Sequence, residues 1–208
     1  MRHLISPLDF TVEETYEVLD FADRIAANPK AYAHAADGRQ LATLTNGDTS
    51  ISYGYDSGSV RTTKTVNGVK YTYAYLNGQL MYETRGDSKF YYSYDANGIL
   101  YNVRYTLTDG DTEYSYYYTH NSRGDIVGIY NGAGELKAHY EYDAWGNVIS
   151  ITDNNGNAIT SPNHIGNLNP FRYRGYYYDT ESGFYYLMSR YYDPVTHRFI
   201  NADGYFQS

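Results

Sequence analysis

The chain has 208 residues, a formal net charge of −8 and no cysteine. These numbers allow one domain, or one domain with an appendage, and they exclude disulfide scaffolds, thiolate zinc sites and cysteine nucleophiles. The excess of 24 acidic over 16 basic residues argues against a nucleic-acid partner, because such binders neutralise phosphates. No apolar run approaches the ~20 residues of a membrane-spanning helix, and the first residues lack the apolar stretch of a signal peptide.

The first 44 residues predict one helix followed by a short strand. Thr11 is a candidate N-cap, and Glu14 stands three residues later, as in a capping box. Apolar residues then recur with a period close to that of an α-helix as far as Asn28, where the following proline ends the helix. The segment from Gln40 to Leu44 is predicted to be a strand.

Tyrosine and glycine dominate the chain after residue 44, with 29 and 19 residues respectively in the whole sequence. Tyrosine favours strands because its ring packs on a half-buried pleated surface, and glycine favours tight turns. The glycines that close successive turns recur every 20 to 26 residues. Such a recurrence indicates a repeat architecture in which each unit supplies two strands and a turn. Asn67-Gly68 and Asn77-Gly78 are strong signals for two-residue hairpin turns.

Pairs of tyrosines two residues apart have two interpretations. Rings at positions i and i+2 share one face of a strand, so those of neighbouring repeats can stack as internal packing. On an open face, the same rings would bind a carbohydrate or another cell-surface ligand. The candidate binding residues, with the lone tryptophan, are Tyr53, Tyr55, Tyr73, Tyr75, Tyr92, Tyr94, Tyr140, Tyr142 and Trp145.

Other candidate sites are weaker. The six histidines are scattered without metal-ligand spacing, so no metal and no cofactor is predicted. Residues 153–157, Asp-Asn-Asn-Gly-Asn, are similar to the opening of a calcium loop but lack its closing glutamate, which favours a hairpin turn. Four arginines are expected to form salt bridges with three carboxylates, or alternatively to hold an anion: Arg172, Arg174, Arg190 and Arg198 against Asp179, Glu181 and Asp193.

The recurring Tyr-Asp-x-x-Gly pattern resembles the YD, or Rhs, repeats. A more specific stretch, NPFRYRGYYYDTESGFYYLMSRYYDP at residues 169–194, continues as RFINADG at residues 198–204 and is similar to the Rhs repeat-associated core. The resemblance covers about residues 46–206. The positions expected to shape the core are Arg172, Arg174, Gly175, Asp179, Gly183, Arg190, Asp193 and Pro194.

This resemblance implies a fold and a setting. In the family, the repeats wind into a β-sheet that spirals into a hollow shell, the core seals one end, and a polymorphic toxin domain usually follows. Members are mostly secreted or displayed on the cell envelope. The expected fold is mainly β: a curved antiparallel sheet of YD-repeat hairpins, a partial shell, with an appended N-terminal α-helix. The expected parts are residues 1–44, YD repeats over 45–160, and a truncated core-like segment over 161–208.

Two departures from the family limit the expected function. The tract after residue 44 has 164 residues, whereas a closed shell needs many hundreds. The Gly-Leu of the family's self-cleavage motif does not follow Asp193-Pro194, so Asp193 and Asp203 are expected to form turns. We therefore expect a structural fragment of a toxin-delivery shell without enzymatic activity, or alternatively a carbohydrate-binding module. Unpaired edges of a short sheet are expected to cause self-association.

The N-terminal 44 residues resemble an unrelated enzyme. The segment RHLISPLDFTVEE at residues 2–14 and the residues up to Leu44 are similar to the start of aspartate carbamoyltransferase catalytic chains. Residues 45–50 read TNGDTS, where that family has its Ser-Thr-Arg-Thr-Arg phosphate-binding turn. This segment is therefore expected to be an inactive remnant of a carbamoyltransferase.

Overall fold

The computed structural model describes residues 41–46, 48–108 and 112–200. The predicted helix up to Asn28 and the candidate turn residue Asp203 lie outside the described residues, and the division at residues 44 and 160 stays a prediction. The described residues all lie in one compact unit. The predicted strand near Leu44 is present, shifted to begin at Thr43.

Eleven consecutive strands form one antiparallel sheet, in which every strand pairs with its neighbours in sequence and the sheet does not close on itself. The prediction of a mainly β, antiparallel hairpin fold is thereby confirmed. The strands are β1 (Thr43–Asn46), β2 (Thr49–Tyr55), β3 (Arg61–Val66), β4 (Val69–Leu76), β5 (Gln79–Arg85), β6 (Ser88–Tyr94), β7 (Leu100–Thr106), β8 (Glu113–His120), β9 (Ile126–Asn131), β10 (Leu136–Tyr142) and β11 (Val148–Thr152).

One turn design recurs six times along the described chain. An Asp or Asn side chain accepts hydrogen bonds from the backbone N–H groups two and four residues ahead, at 2.8–3.1 Å. These residues mimic a backbone turn with their own side chains, which explains the Tyr-Asp pattern. The turns begin at Asp56, Asp95, Asn121, Asn131, Asp143 and Asp153.

The Asn-Gly hairpins also form as the sequence predicts. Asn67 and Gly68 have φ angles of 47° and 85°, and Asn77 and Gly78 have φ angles of 51° and 78°. Positive φ at both central residues is the geometry of the two-residue turns whose twist matches that of paired strands.

Most long hairpins carry a β-bulge next to the turn, with the extra residue in the strand that follows the turn. The register shifts lie at Gly54/Tyr55, Ala74/Tyr75, Ser93/Tyr94, Thr119/His120 and Glu141/Tyr142. A bulge inserts one extra residue into one strand, so side chains an odd number of positions apart can share a face. This shift decides which polar residues become buried.

The C-terminal segment, residues 165–199, packs on one face of the large sheet. It contains a short helix α1 (Ile165–Leu168), a 3₁₀ turn (Tyr173–Gly175) and four antiparallel strands. Within the described ranges, no helix has the length or apolar character needed to cross a membrane. The four strands are β12 (Tyr177–Asp179), β13 (Phe184–Tyr186), β14 (Tyr191–Asp193) and β15 (Arg198–Phe199).

Aromatic rings form much of the core between the two sheets. Tyr73 meets Tyr177 edge-on with ring centroids 5.7 Å apart, and Tyr92 meets Phe171 edge-on at 4.9 Å. Such pairs add about 0.5–1.5 kcal/mol beyond the burial of apolar area. Tyr140 of β10 is also buried in this core, and its hydroxyl donates to the carbonyl of Gly166 at 2.6 Å.

Candidate functional site: a buried ionic junction

The strongest concentration of polar chemistry lies between strand β3 and strand β12. The bulge in the β2–β3 pair brings Arg61 and Lys64, three residues apart, onto the covered face of the sheet. Asp179, the last residue of β12, meets both of them. Arg61 and Asp179 are completely buried, and Lys64 is 2% exposed.

Charge balance makes this burial tolerable. Arg61 Nη1 donates to Asp179, and Lys64 Nζ donates to both Asp179 and Glu181 at 2.9 Å. Burial alone would raise the pKa of the Asp179 carboxyl, but the positive charges of Arg61 and Lys64 hold that pKa below its usual range. Two cations thus face two carboxylates, and Asp179 remains ionised inside the protein.

The Arg61 guanidinium also lies inside a cage of tyrosine rings. Its Nε and Nη2 atoms have no hydrogen-bond partner among the described residues, and ring faces surround them instead. A desolvated cation over an aromatic face gains up to about 2 kcal/mol. The guanidinium carbon lies 4.3–5.9 Å from the ring centroids of Tyr53, Tyr73, Tyr177, Tyr186 and Tyr191.

A second ionic group lies beside the first. The fully buried Glu83 of β5 accepts from Arg85 Nε at 2.8 Å and from the hydroxyls of Tyr92 at 2.8 Å and Tyr177 at 2.6 Å. Arg85 Nη1 in turn donates to the carbonyl of Leu168 at 2.7 Å. Burial, followed by the negative charge of Glu83, raises the pKa of both tyrosines well above the ordinary value, so these hydroxyls stay protonated donors.

Two further polar contacts complete the junction towards β9 and β8. Buried Asp125 accepts from the backbone N–H of Arg174 at 2.9 Å. The Asn169 side chain accepts from the Tyr118 hydroxyl at 2.9 Å and donates to the carbonyl of Phe171 at 2.6 Å. Contacts of this kind join residues up to 136 positions apart, so the arrangement fastens the C-terminal segment to the repeat sheet.

The eight tyrosines predicted as binding residues lie on the covered face. Their rings make internal contacts, for example between Tyr53 and Tyr191 with centroids 5.5 Å apart. Their use as a ligand surface stays a prediction, and any ligand would compete with the C-terminal segment for the four that are buried. Tyr53, Tyr73, Tyr92 and Tyr140 are buried, and Tyr55, Tyr75, Tyr94 and Tyr142 are partly buried.

Trp145 lies apart from these tyrosines. Half of its surface is exposed, and its ring stacks on that of His197 with centroids 4.2 Å apart.

The predicted core positions are spread around the junction. Arg172 is buried with its guanidinium 4.6 Å from the Tyr178 ring centroid, and the guanidinium of Arg190 lies 3.9 Å from the ring of Phe199. Gly175 and Gly183 have φ angles of 68° and 78°, which favour glycine.

Asp193 forms the turn that the sequence predicts. Its carboxylate accepts from the backbone N–H of Val195 at 2.9 Å and from the Thr196 hydroxyl at 2.8 Å. The neighbouring carbonyl of Pro194 accepts from the side chain of Asn147 at 3.0 Å.

The predicted salt bridges between the C-terminal arginines and Asp179 are wrong. Asp179 pairs with Arg61 and Lys64 of the repeat sheet, because the end of β12 lies against β3. Sequence reasoning missed these two cations together with Glu83 and Arg85. The available signal was weak: charged residues inside strands otherwise rich in threonine and tyrosine.

No group of three metal-ligating side chains occurs in the part of the chain that the structure describes. Asp153 forms a turn of the recurring type, as expected from its sequence, with Oδ1 accepting from the N–H groups of Asn155 and Asn157 at 2.8 Å.

A known protein family matches part of the repeating sequence. The family model described as RHS Repeat matches residues 120–158, which span strands β9 to β11 and the turns around them. The predicted resemblance to YD/Rhs proteins is confirmed, and we call the large sheet the RHS sheet.

Two curated relatives match different parts of the chain. The tRNA nuclease WapA of Bacillus subtilis strain 168 is 36% identical over an alignment of 167 residues, and the match covers 73% of this chain and 6% of that protein. The aspartate carbamoyltransferase catalytic subunit of Clostridium acetobutylicum is 58% identical over 43 residues, 21% of this chain and 14% of that protein. The chain therefore spans a small fraction of each relative's length.

The fold also resembles that of a solved crystal structure. The crystal structure of TcdB2-TccC3-Cdc42 superposes with a TM-score of 0.57 and 19% identity, covering 77% of this chain and 8% of that chain. At this identity the likeness concerns the fold.

The expectation of no enzymatic activity is contradicted by the relatives. Curated proteins that match 73% of the chain are named as tRNA nucleases. The expectation was based on the composition of the repeats. That composition indicates residues with a structural role, and it carries no information about the activity of the larger protein that contains the repeats.

Proposed function

We propose that this chain forms part of the wall of an Rhs-type toxin-delivery protein. The observation that supports this proposal is the buried junction, in which Asp179 of the C-terminal segment binds Arg61 and Lys64 of the RHS sheet. A delivery shell needs a wall that does not open before arrival, and breaking a buried ion pair is costly. The cargo activity that we propose for the parent protein is tRNA cleavage, the activity named for the WapA relatives.

A chimera tests this proposal. The matching segment of Bacillus subtilis WapA is replaced by residues 41–200 of this chain, and the whole protein is subjected to limited proteolysis and to a tRNA-cleavage assay in recipient cells. We expect native-like protease resistance and retained tRNA cleavage.

The matched control chimera carries Asp179→Asn, which leaves Arg61 and Lys64 buried without a full counter-charge. We expect this chimera to be cut within the wall and to lose delivery. If both chimeras are equally protected and equally active, the junction does not hold the wall and the proposal fails.

A carbohydrate ligand is a second candidate function, and a different surface favours it. Tyr91 and Tyr117 are 39% and 44% exposed on strands whose alternate residues face the core, and the Arg104 guanidinium lies 5.9 Å from the Tyr91 ring. Exposed aromatic rings beside a polar group suit a sugar face.

Glycan-array binding tests this candidate. The double variant Tyr91→Ala/Tyr117→Ala should lose the signal, whereas Ile149→Ala, another exposed apolar side chain, should keep it. Equal binding by both variants would exclude this surface.

A further inference from the structure

A trough of about 840 Å³ runs along one end of the RHS sheet. One wall consists of three hairpin turns, represented by Gly78, Gly98 and Gly124, and the other consists of residues 174–176 and 187–190 of the C-terminal segment. Tyr177 and Tyr186 line both this trough and the buried junction, but the charged side chains of the junction, Arg61, Lys64, Glu83 and Asp179, do not line the trough.

The dimensions of the trough suit an extended chain. Its three turns join strands β4 and β5, β6 and β7, and β8 and β9, so the trough crosses six neighbouring strands. With strands about 4.8 Å apart, the crossing is about 24 Å long, which accommodates roughly seven residues of an extended peptide at about 3.3 Å each.

Positive charge distinguishes this trough from the rest of the chain. Its lining includes Arg123, Arg174 and Arg190, and none of the described residues that line it is Asp or Glu, although the chain carries a net charge of −8. Asp125 lies behind the wall, where it binds Arg123 Nη2 at 3.1 Å and the backbone N–H of Arg174 at 2.9 Å. Asp125 therefore pairs with the Arg123 guanidinium, whereas it meets Arg174 through the backbone N–H of that residue.

Aromatic and polar groups lie between these charges. Tyr75, Tyr94 and Tyr176 contribute rings to the lining. The Tyr94 hydroxyl is engaged with the carbonyl of Leu80 at 3.0 Å, which leaves its ring to pack against a ligand. His120 is half-buried in the lining, and burial lowers its pKa despite the nearby Asp95, so its imidazole offers a neutral donor and acceptor near pH 7.

We propose that this trough binds an extended peptide segment in which acidic side chains alternate with aromatic ones. The carboxylates would pair with the arginines at the rim, as expected from charge complementarity, and the aromatic side chains would pack on the tyrosine rings. This inference does not depend on the wall function, since it concerns a different surface of the same fold.

Fluorescence anisotropy with a labelled heptapeptide of alternating glutamate and tyrosine tests the proposal. Arg174→Glu is the informative variant, because its side chain is exposed at the rim. Arg104→Glu is the matched control, because Arg104 is a half-exposed arginine that does not line the trough. We expect Arg174→Glu to weaken binding roughly tenfold and Arg104→Glu to change it less than about twofold. Binding should also weaken with added salt.

Several outcomes would overturn the proposal. These are equal weakening by the two variants, equal binding of a lysine–tyrosine heptapeptide, or no binding of the glutamate–tyrosine peptide at about millimolar concentration. Tighter binding of a labelled oligoribonucleotide at the same site would assign the trough to a nucleic acid instead. If circular dichroism shows that Arg174→Glu is unfolded, Arg174→Gln replaces it, with an expected loss of about threefold.

Discussion

At the residue scale, Asp179 is the link between two parts of the fold. It is fully buried, yet it stays ionised because Arg61 and Lys64 supply compensating charge. Such a carboxylate loses its hydrating water on folding, which costs free energy. It therefore stabilises the protein only when Arg61 and Lys64 are both in place. Removing one charge leaves the others buried without compensation.

Asp179→Asn should therefore destabilise the protein strongly. The variant keeps the size of the side chain but removes the charge that balances Arg61 and Lys64, and we expect a loss of about 3–5 kcal/mol in the free energy of unfolding. Urea denaturation followed by circular dichroism measures this loss. Asp87→Asn, at an exposed carboxylate, is the control and should change stability by less than about 0.5 kcal/mol. Similar values for the two variants would contradict a structural role for the junction.

Ionisation of Asp179 should also make the stability of the protein depend on pH. The pKa of Asp179 is lower in the folded protein than in the unfolded chain, where it is about 3.9. Its contribution is thus complete above that value and is lost as the pH falls through the lower, folded-state pKa. Denaturation between about pH 5 and 2 should show this loss in the wild type and a smaller one in Asp179→Asn. Parallel curves would contradict the assignment.

At the element scale, the recurring turn places a left-handed residue three positions after its Asp or Asn. Glycine fills this position at Gly98, Gly124 and Gly146, whereas the first turn has Ser59 there with a φ of 64°. A side chain in this conformation costs about 1–2 kcal/mol. The first turn therefore departs from the best sequence for its own geometry.

Ser59→Gly should stabilise the protein by about 0.5–1 kcal/mol, because relief of the strained φ exceeds the greater flexibility of glycine in the unfolded chain. The reverse change, Gly124→Ser, should destabilise it by about 1 kcal/mol, since a Cβ at Gly124 meets only open space and the φ of 84° alone opposes it. Thermal unfolding compares the two. A lower melting temperature for Ser59→Gly would contradict this explanation.

At the scale of the whole molecule, the core depends on tyrosines that must remain neutral. Burial raises the pKa of Tyr71, Tyr140 and Tyr186 to about 12. An unfolded tyrosine ionises near pH 10, so folding favours the protonated hydroxyl. Stability from this source is complete below pH 10 and declines as the pH rises through 10 towards 12.

Alkaline titration should therefore show unfolding and ionisation together. We expect tyrosinate absorbance to appear above about pH 10 in step with the loss of β-sheet circular dichroism. Ionisation of all tyrosines near pH 10 with the sheet intact would contradict the burial of these hydroxyls.

The two edge strands of the RHS sheet differ in how far they are covered. Among the described residues, β1 pairs with β2 alone, whereas β11 is partly covered by a bridge between Thr152 and Ala158. Strand addition from a second copy at β1 should produce concentration-dependent association in sedimentation, and Thr43→Lys should reduce it because edge lysines oppose pairing. Thr43→Ser is the control. A monomer at all concentrations would contradict this expectation.

The sequence by itself determined the local structure. The Asp and Asn turn residues, the Asn-Gly hairpins and the tyrosine pairs each act through neighbours a few positions away, so their patterns predicted the antiparallel hairpins and the Rhs resemblance. The tertiary structure alone decided the junction. Arg61 and Lys64 share the buried face because of a bulge, and they meet Asp179 from 118 and 115 positions away. Pairing across such separations depends on how the C-terminal segment lies over the sheet, which no local pattern encodes.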